Sequence, residues 1–84
     1  MNSRQKKTLA AVFSEPAKAT IAWADIECLL VAAGAKVVEG SGSRVRFHKD
    51  GVSANFHRPH PAKEAKKYQV RLAREYVAKI GVTP

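Results

Sequence analysis

Residues 40–61 read GSGSRVRFHKDGVSANFHRPHP and decide the fold. Within this stretch Asp50 and Gly51 stand between two runs in which apolar and polar residues alternate. This pattern is typical of a β-hairpin closed by a two-residue turn. If these two residues form the turn, counting outward along both strands places Arg44 directly opposite His57.

Side chains alternate between the two faces of a β-strand, so this hairpin has one apolar face and one polar face. The apolar face is expected to pack on helices and carries Val45, Phe47, Val52, Ala54 and Phe56. The opposite face is a row of cations, imidazoles and one amide, made of Arg44, Arg46, His48, Asn55 and His57. Such a row suits a partner that carries many phosphates, because each arginine can donate several hydrogen bonds to phosphoryl oxygens.

Helical patterns flank the hairpin on both sides. Apolar residues at helical spacing predict three helices, over residues 3–13, 23–33 and 68–80. Ser3 is expected to cap the first helix, and Gly34 and Gly81 are expected to end the other two. Residues 18–21 should form a connector, and residues 35–39 should add a first strand. The predicted fold is α+β, with helices on one face of a three-stranded antiparallel sheet and the polar face left open.

Composition places the chain among small, strongly basic globular domains. The 84 residues carry a formal net charge of +8, and 45% of them are hydrophobic, which is enough for one modest core. The charge is uneven, since residues 41–84 hold ten Lys/Arg against three Asp/Glu, while residues 1–40 hold five against four. A basic surface of this kind favours nucleic acid as the partner, ahead of an acidic protein or an anionic membrane.

Other residue types exclude several classes of protein. A single cysteine, Cys28, rules out an internal disulfide and a multi-thiolate zinc site. Because it lies in an apolar run of the second helix, we expect it to be a small, buried packing residue. Asp25 and Glu27 are expected to favour the start of that helix through its dipole rather than to act as an acid–base pair. In the last helix we expect Arg74 to stay in solvent. No apolar run reaches the length of a membrane span and no signal peptide follows Met1, so we expect a cytoplasmic protein. We expect no metal or other cofactor, because no second cluster or carboxylate spacing accompanies the three histidines.

Several short motifs fall together in the second half of the chain. They are GSRVRF at residues 42–47, FHRPHP at residues 56–61, Lys-Glu at residues 63–64, and a C-terminal helix that ends in glycine. Combined with the helix that begins at Trp23, this pattern resembles the HicA toxin family of toxin–antitoxin systems. The similarity extends from Trp23 to the end of the chain.

The resemblance implies a fold like that of double-stranded-RNA-binding domains, α-β-β-β-α. In a single domain 1–84, residues 1–20 would be an extra helical extension and residues 21–84 the HicA-like core. The resemblance also implies an mRNA interferase, a small endoribonuclease that works without metal and is neutralised by a HicB-like antitoxin. The family usually carries a catalytic histidine directly after Gly-Ser, but Arg44 stands at that position here, so this role is not carried over. The oligomeric state stays open between a free monomer and a complex with the antitoxin.

Metal-independent RNA cleavage needs a base, an acid and a cation at the phosphate. Histidine titrates near neutral pH and can fill either proton role. We hypothesise that His57 is the general base or acid and that Arg44 stabilises the phosphate as charge develops. His60 is the second candidate for proton transfer. Contacts to the RNA backbone are expected from Arg46, His48, Asn55, Arg58, Lys63, Lys66 and Lys67.

Two other functions use the same surface. The chain could be a non-catalytic RNA- or DNA-binding module, or an interaction protein whose basic face meets an acidic partner such as the antitoxin. Only the toxin hypothesis predicts cleavage products that appear without metal. A local hydrogen-bonding role competes with catalysis for His57, and a structural or RNA-contacting role does so for His60. Phe47 and Phe56 fall on the apolar face, which argues against a reader that stacks bases on its strands.

Overall fold

The computed structural model describes residues 1–17 and 20–84. The elements follow in the order α1 Ser3–Val12, α2 Trp23–Ala32, β1 Lys36–Glu39, β2 Arg44–Lys49, β3 Val52–His57 and α3 Lys67–Lys79. After α1 the order is α-β-β-β-α, which confirms the predicted α+β fold of the double-stranded-RNA-binding type. The expected connector at residues 18–21 falls partly on Lys18 and Ala19, which lie outside the described residues.

The sheet is antiparallel in the order β1-β2-β3, so β2 lies in its centre. A tight turn joins β2 to β3 at Asp50 and Gly51, whose φ angles of 51° and 79° are those a type I′ turn requires. The register is the predicted one, with Arg44 opposite His57 at the far end of the ladder. The turn therefore determines which side chains of the hairpin share a face.

The helices cover one face of the sheet. Val45, Phe47, Ala54 and Phe56 are buried beneath them, whereas the alternating residues of both strands are exposed. Trp23 at the start of α2 packs on both phenylalanines, with ring centroids 6.4 Å from Phe47 and 5.1 Å from Phe56. Aromatic pairs of this kind contribute about 0.5–1.5 kcal/mol beyond the area they bury. These rings join the helical layer to the hairpin.

Asn2, and not Ser3 as predicted, caps α1. The Asn2 side-chain oxygen accepts from the Gln5 N–H at 2.8 Å, and the Gln5 side-chain oxygen accepts from the Asn2 N–H at 2.9 Å. This reciprocal capping box satisfies two N–H groups at once, which explains why the helix starts one residue earlier than a Ser3 cap allows. The side chains of Leu9 and Val12 are buried in the core and hold α1 on the rest of the domain.

Cys28 is exposed, so the prediction that it is a buried packing residue of α2 is wrong. The buried side of α2 carries Ile26, Leu29 and Leu30. Each residue turns a helix by about 100°, so Cys28 lies about 200° around the axis from both Ile26 and Leu30. An apolar run along the chain therefore did not define one face of the helix.

Arg74 does not stay in solvent as predicted but ties α3 to the end of α1. Its Nε donates to the Val12 carbonyl oxygen at 2.7 Å, and its Nη2 donates to the Ser14 carbonyl oxygen at 2.9 Å. The guanidinium also pairs with Glu15. The last carbonyl groups of a helix have no partner inside that helix, and Arg74 supplies one for α1.

Phe47→Ala is expected to lower the free energy of unfolding by about 3–5 kcal/mol, because it leaves a cavity where a fully buried ring contacts Trp23 and Phe56. Val38→Ala, at a half-exposed position of β1, is the control and should change stability by less than about 0.5 kcal/mol. Urea denaturation followed by circular dichroism measures both variants. A Phe47→Ala variant as stable as Val38→Ala would contradict the packing described above.

Candidate functional site

The uncovered side of the sheet, here called the open face, is formed by residues of all three strands. It carries Lys36 and Val38 of β1, Arg44, Arg46 and His48 of β2, and Ser53, Asn55 and His57 of β3. All of these residues are exposed. Two hydrogen bonds order the side chains, since Arg46 Nε donates to Asn55 Oδ1 at 3.3 Å and His48 Nδ1 lies 2.8 Å from Ser53 Oγ.

Arg44 and His57 end the β2–β3 ladder beside the turn at residues 40–43. The Gly40 N–H donates to the Arg44 carbonyl oxygen at 3.0 Å. A Cβ at Gly40 would lie 2.9 Å from the Cβ of Arg44, so glycine allows this close approach. On the other side of the pair, the Arg58 N–H donates to the Ser43 carbonyl oxygen at 2.9 Å. The backbone around Arg44 and His57 is thus held from both sides.

A depression of about 470 Å³ opens on the sheet at this point, here called the sheet depression. Its polar lining includes Arg44, Arg46, Asn55 and His57. A second hollow of about 210 Å³, here called the α3 cleft, lies between the end of β3 and the start of α3. Its lining includes His57, His60, Lys66, Tyr68 and Gln69. His57 borders both hollows, and the two predicted proton carriers, His57 and His60, both line the α3 cleft.

Gln69 connects the end of β3 to the start of α3. It is 1% exposed, and its Nε2 donates to the His57 carbonyl oxygen at 2.7 Å. Its Oε1 accepts from the Lys66 N–H at 3.0 Å. A buried amide with both ends bonded fixes the backbone of His57 relative to Lys66. Gln69 was not among the residues predicted for the site, although its place three residues after the N-cap Lys66 is the spacing of a capping box.

Arg58, an expected RNA contact, directs its guanidinium at two carboxylates. Its Nε and Nη2 donate to Glu27 at 3.0 and 3.1 Å. Its Nη1 and Nη2 donate to Glu39 at 2.7 and 3.0 Å. Glu27 also accepts a hydrogen bond from Trp23 Nε1 at 2.9 Å. Its carboxylate therefore has two partners, Arg58 and Trp23. Arg58 therefore links α2, β1 and the segment after β3.

These hydrogen bonds change the ionisation of the groups that form them. Those donated by Arg58 lower the pKa of Glu39, and those accepted by Glu39 and Glu27 raise the pKa of Arg58. A further ion pair joins α1 to α2, since Arg4 Nη2 lies 2.7 Å from Asp25 Oδ1. The acidic residues of α2 thus bind arginines, in addition to the dipole role that their position near its start indicated.

The basic segment that leads into α3 is anchored through its backbone, while its lysine side chains stay exposed. The Lys63 carbonyl oxygen accepts from the Trp23 N–H at 2.9 Å, and the Ala65 N–H donates to the Ile21 carbonyl oxygen at 2.8 Å. Within residues 1–17 and 20–84, Arg44 and Arg46 form no ion pair. The same holds for the three predicted lysines, Lys63, Lys66 and Lys67. Their charge is available to an anionic partner.

In the same ranges no three His, Cys, Asp or Glu side chains converge as a metal-binding group. The described helices are also too short and too polar to cross a bilayer.

Fold and surface together define a small α+β domain that presents an open, basic sheet face beside a histidine. A family model described as the HicA toxin of bacterial toxin–antitoxin systems matches residues 23–76, from α2 into α3. This match covers more than half of the chain, and the chain belongs to the HicA toxin family. Comparison with curated proteins and with solved structures finds no match. Membership implies a toxin with an antitoxin partner, and α1 precedes the matched segment.

Glu39→Gln should remove a stabilisation that depends on pH. In the unfolded chain Glu39 titrates near its ordinary value of about 4.5, whereas Arg58 lowers its pKa in the folded protein. The stabilisation is therefore complete above about pH 5 and is lost as the pH falls through the folded pKa. The difference in stability between wild type and Glu39→Gln, measured by urea denaturation, should be positive at neutral pH and shrink in acid.

Glu75→Gln is the matched control, because Glu75 is exposed on α3 and has no ion-pair partner in the described part of the chain. At neutral pH the free energy of unfolding of Glu75→Gln should differ less from that of wild type than the value for Glu39→Gln does. A Glu39→Gln difference that stays constant from neutral to acid pH would contradict the pairing with Arg58.

Proposed function

We propose that this chain is an endoribonuclease toxin that cleaves mRNA in the cytoplasm without a metal ion and that a HicB-like antitoxin neutralises. The observation that carries the proposal is the pairing of Arg44 with His57 at the sheet depression. Membership of the HicA toxin family supports the toxin role. The unpaired cations of the open face support RNA as the ligand, since a phosphate backbone supplies closely spaced negative charges.

The proposed chemistry needs only groups that border the two hollows. The ribose 2′-oxygen attacks the neighbouring phosphorus while its proton passes to a base, and the bond from phosphorus to the 5′-oxygen breaks. An acid then protonates that leaving oxygen. His57 takes one of these proton transfers and His60, which borders the same cleft, is the candidate for the other. Arg44 donates to the nonbridging oxygens as negative charge develops on them.

The remaining predicted residues would position the RNA. Arg46, His48 and Asn55 line the open face beyond the reacting phosphate. Lys66 lines the α3 cleft together with His57, and Lys63 and Lys67 are exposed close to it in the sequence. Arg58 would act indirectly, because its donors already bind Glu27 and Glu39 and hold the segment that carries His57.

A second candidate function is a non-catalytic module that binds RNA or the antitoxin. One observation favours it: Arg44 occupies the position after Gly-Ser at which related toxins usually carry the catalytic histidine. The antitoxin would bind the same open face in either case, since an acidic surface complements its unpaired cations. The two functions differ in whether RNA is cut.

His57→Ala is expected to slow cleavage of a single-stranded RNA in EDTA by about 10²–10⁴-fold, the usual cost of losing one acid–base group. Gel electrophoresis of the products measures the rate, and circular dichroism confirms the fold. Lys79→Ala, at the opposite end of α3 roughly 18 Å from Lys67, removes a cation away from the site and should cleave at the wild-type rate.

A folded His57→Ala variant that cleaves as fast as wild type would reject His57 as a proton carrier. A wild-type protein that binds RNA and leaves it intact would establish the second candidate function instead.

Lys66→Ala should weaken the salt dependence of RNA binding. Each phosphate contact on a single strand contributes about 0.7 to the slope of log K against log salt, so the slope should fall by about that amount. Fluorescence anisotropy with a 2′-O-methyl RNA measures binding, because this strand lacks the 2′-hydroxyl that cleavage needs. Lys79→Ala should leave the slope unchanged. Equal slopes for wild type and Lys66→Ala would show that this lysine does not contact the backbone.

A further inference from the structure

We infer that the α3 cleft is a subsite for one unpaired nucleobase, which stacks on Tyr68 while the neighbouring phosphate lies at His57. This inference rests on the proposed RNA function and narrows its substrate class to single-stranded RNA. It is carried by the exposure of Tyr68, by the residues around it, and by the position of His57 between two hollows.

Tyr68 is an aromatic side chain that the core does not use. It is 55% exposed and lies in the first turn of α3. The other tyrosine, Tyr76, is 2% exposed, and its hydroxyl donates to the Val52 carbonyl oxygen at 3.0 Å. Among the described residues, Tyr68 is the aromatic side chain that remains exposed, since the others are buried or packed against the core. An exposed ring of this kind offers a face on which any base can stack.

The surroundings of Tyr68 match a nucleotide better than an apolar protein segment. His57, His60 and Lys66 line the same cleft, so the ring lies among groups that can donate to a phosphate or a ribose. The other large exposed apolar side chains, such as Val31 and Val38, do not line this cleft. Tyr68 is therefore not part of an apolar docking patch. Aromatic rings next to cations are the usual composition of single-strand binding grooves.

A single RNA strand can lie across both hollows, because they share His57. The sheet depression offers Arg44 and Arg46 to phosphates, the α3 cleft offers Tyr68 to a base, and His57 borders both. Gln69, the residue after Tyr68, donates to the His57 carbonyl oxygen and so ties the first turn of α3 to the backbone of His57. A phosphate at His57 would thus have one neighbouring base within reach of Tyr68. Bases inside an A-form duplex are already stacked and cannot enter such a cleft.

The test compares Tyr68→Ala and Tyr68→Phe in the full chain. The probe is a short 2′-O-methyl RNA that carries the fluorescent base 2-aminopurine, offered as a single strand and as a duplex. Tyr68→Ala should weaken single-strand binding by about 5- to 150-fold, the range expected for loss of one base–aromatic stack, and should abolish the quenching of the probe. Tyr68→Phe keeps the ring and should bind like wild type, as should the exposed-residue control Val31→Ala.

Each other outcome overturns a defined part of the account. Single-strand binding that is unchanged in Tyr68→Ala, or lost equally in Tyr68→Phe, rejects base stacking. Equal losses for single strand and duplex also reject it. If the wild-type protein cleaves RNA and any of these results is obtained, the base subsite at Tyr68 is rejected while the proposed RNA function stands. A wild-type protein that binds neither strand overturns the proposed RNA function and the subsite with it.

Discussion

The pairing of β2 with β3 across the Asp50-Gly51 turn decides which half of the hairpin is buried. A shift of one residue would turn the side that carries Arg44 and His57 towards the helices and expose the phenylalanines. The contacts of Trp23 with those phenylalanines make such a shift costly. The helices pack on one face and leave the other uncovered, and on that open face Arg44 and His57 stand opposite each other at one end of the ladder.

Ion pairs distribute the positive charge of this protein unequally. The four acidic residues of the first 40 positions all bind arginines that connect different elements, and these acids are Glu15, Asp25, Glu27 and Glu39. Three arginines are neutralised in this way, and they are Arg4, Arg58 and Arg74. The remaining acids of the chain do not pair with the open face in the described residues. Among the cations that no ion pair involves in the described residues, Arg44, Arg46 and Lys66 line the two hollows, where they attract anions at long range.

Local sequence patterns were sufficient for the parts of the fold that local forces determine. The hairpin register followed from turn chemistry and alternation, and the ends of α2 and α3 were predicted to within one residue. The pairing of Arg58 with Glu27, 31 residues away, depends on how packed elements meet, and so does the contact of Arg74 with the end of α1. The open-face residues of the site were predictable for the same local reason. Tyr68 was missed because helical periodicity alone does not show which exposed ring borders a cleft.

The central claim is that the open face and the α3 cleft form the surface that meets RNA. Amide chemical shifts of the ¹⁵N-labelled protein, recorded while a 2′-O-methyl single strand is added, test it residue by residue. We expect the largest changes at Arg44, Arg46, Asn55, His57 and the first turn of α3. Changes confined to the outer sides of α1 and α2, with β2 and β3 unaffected at saturation, would contradict it.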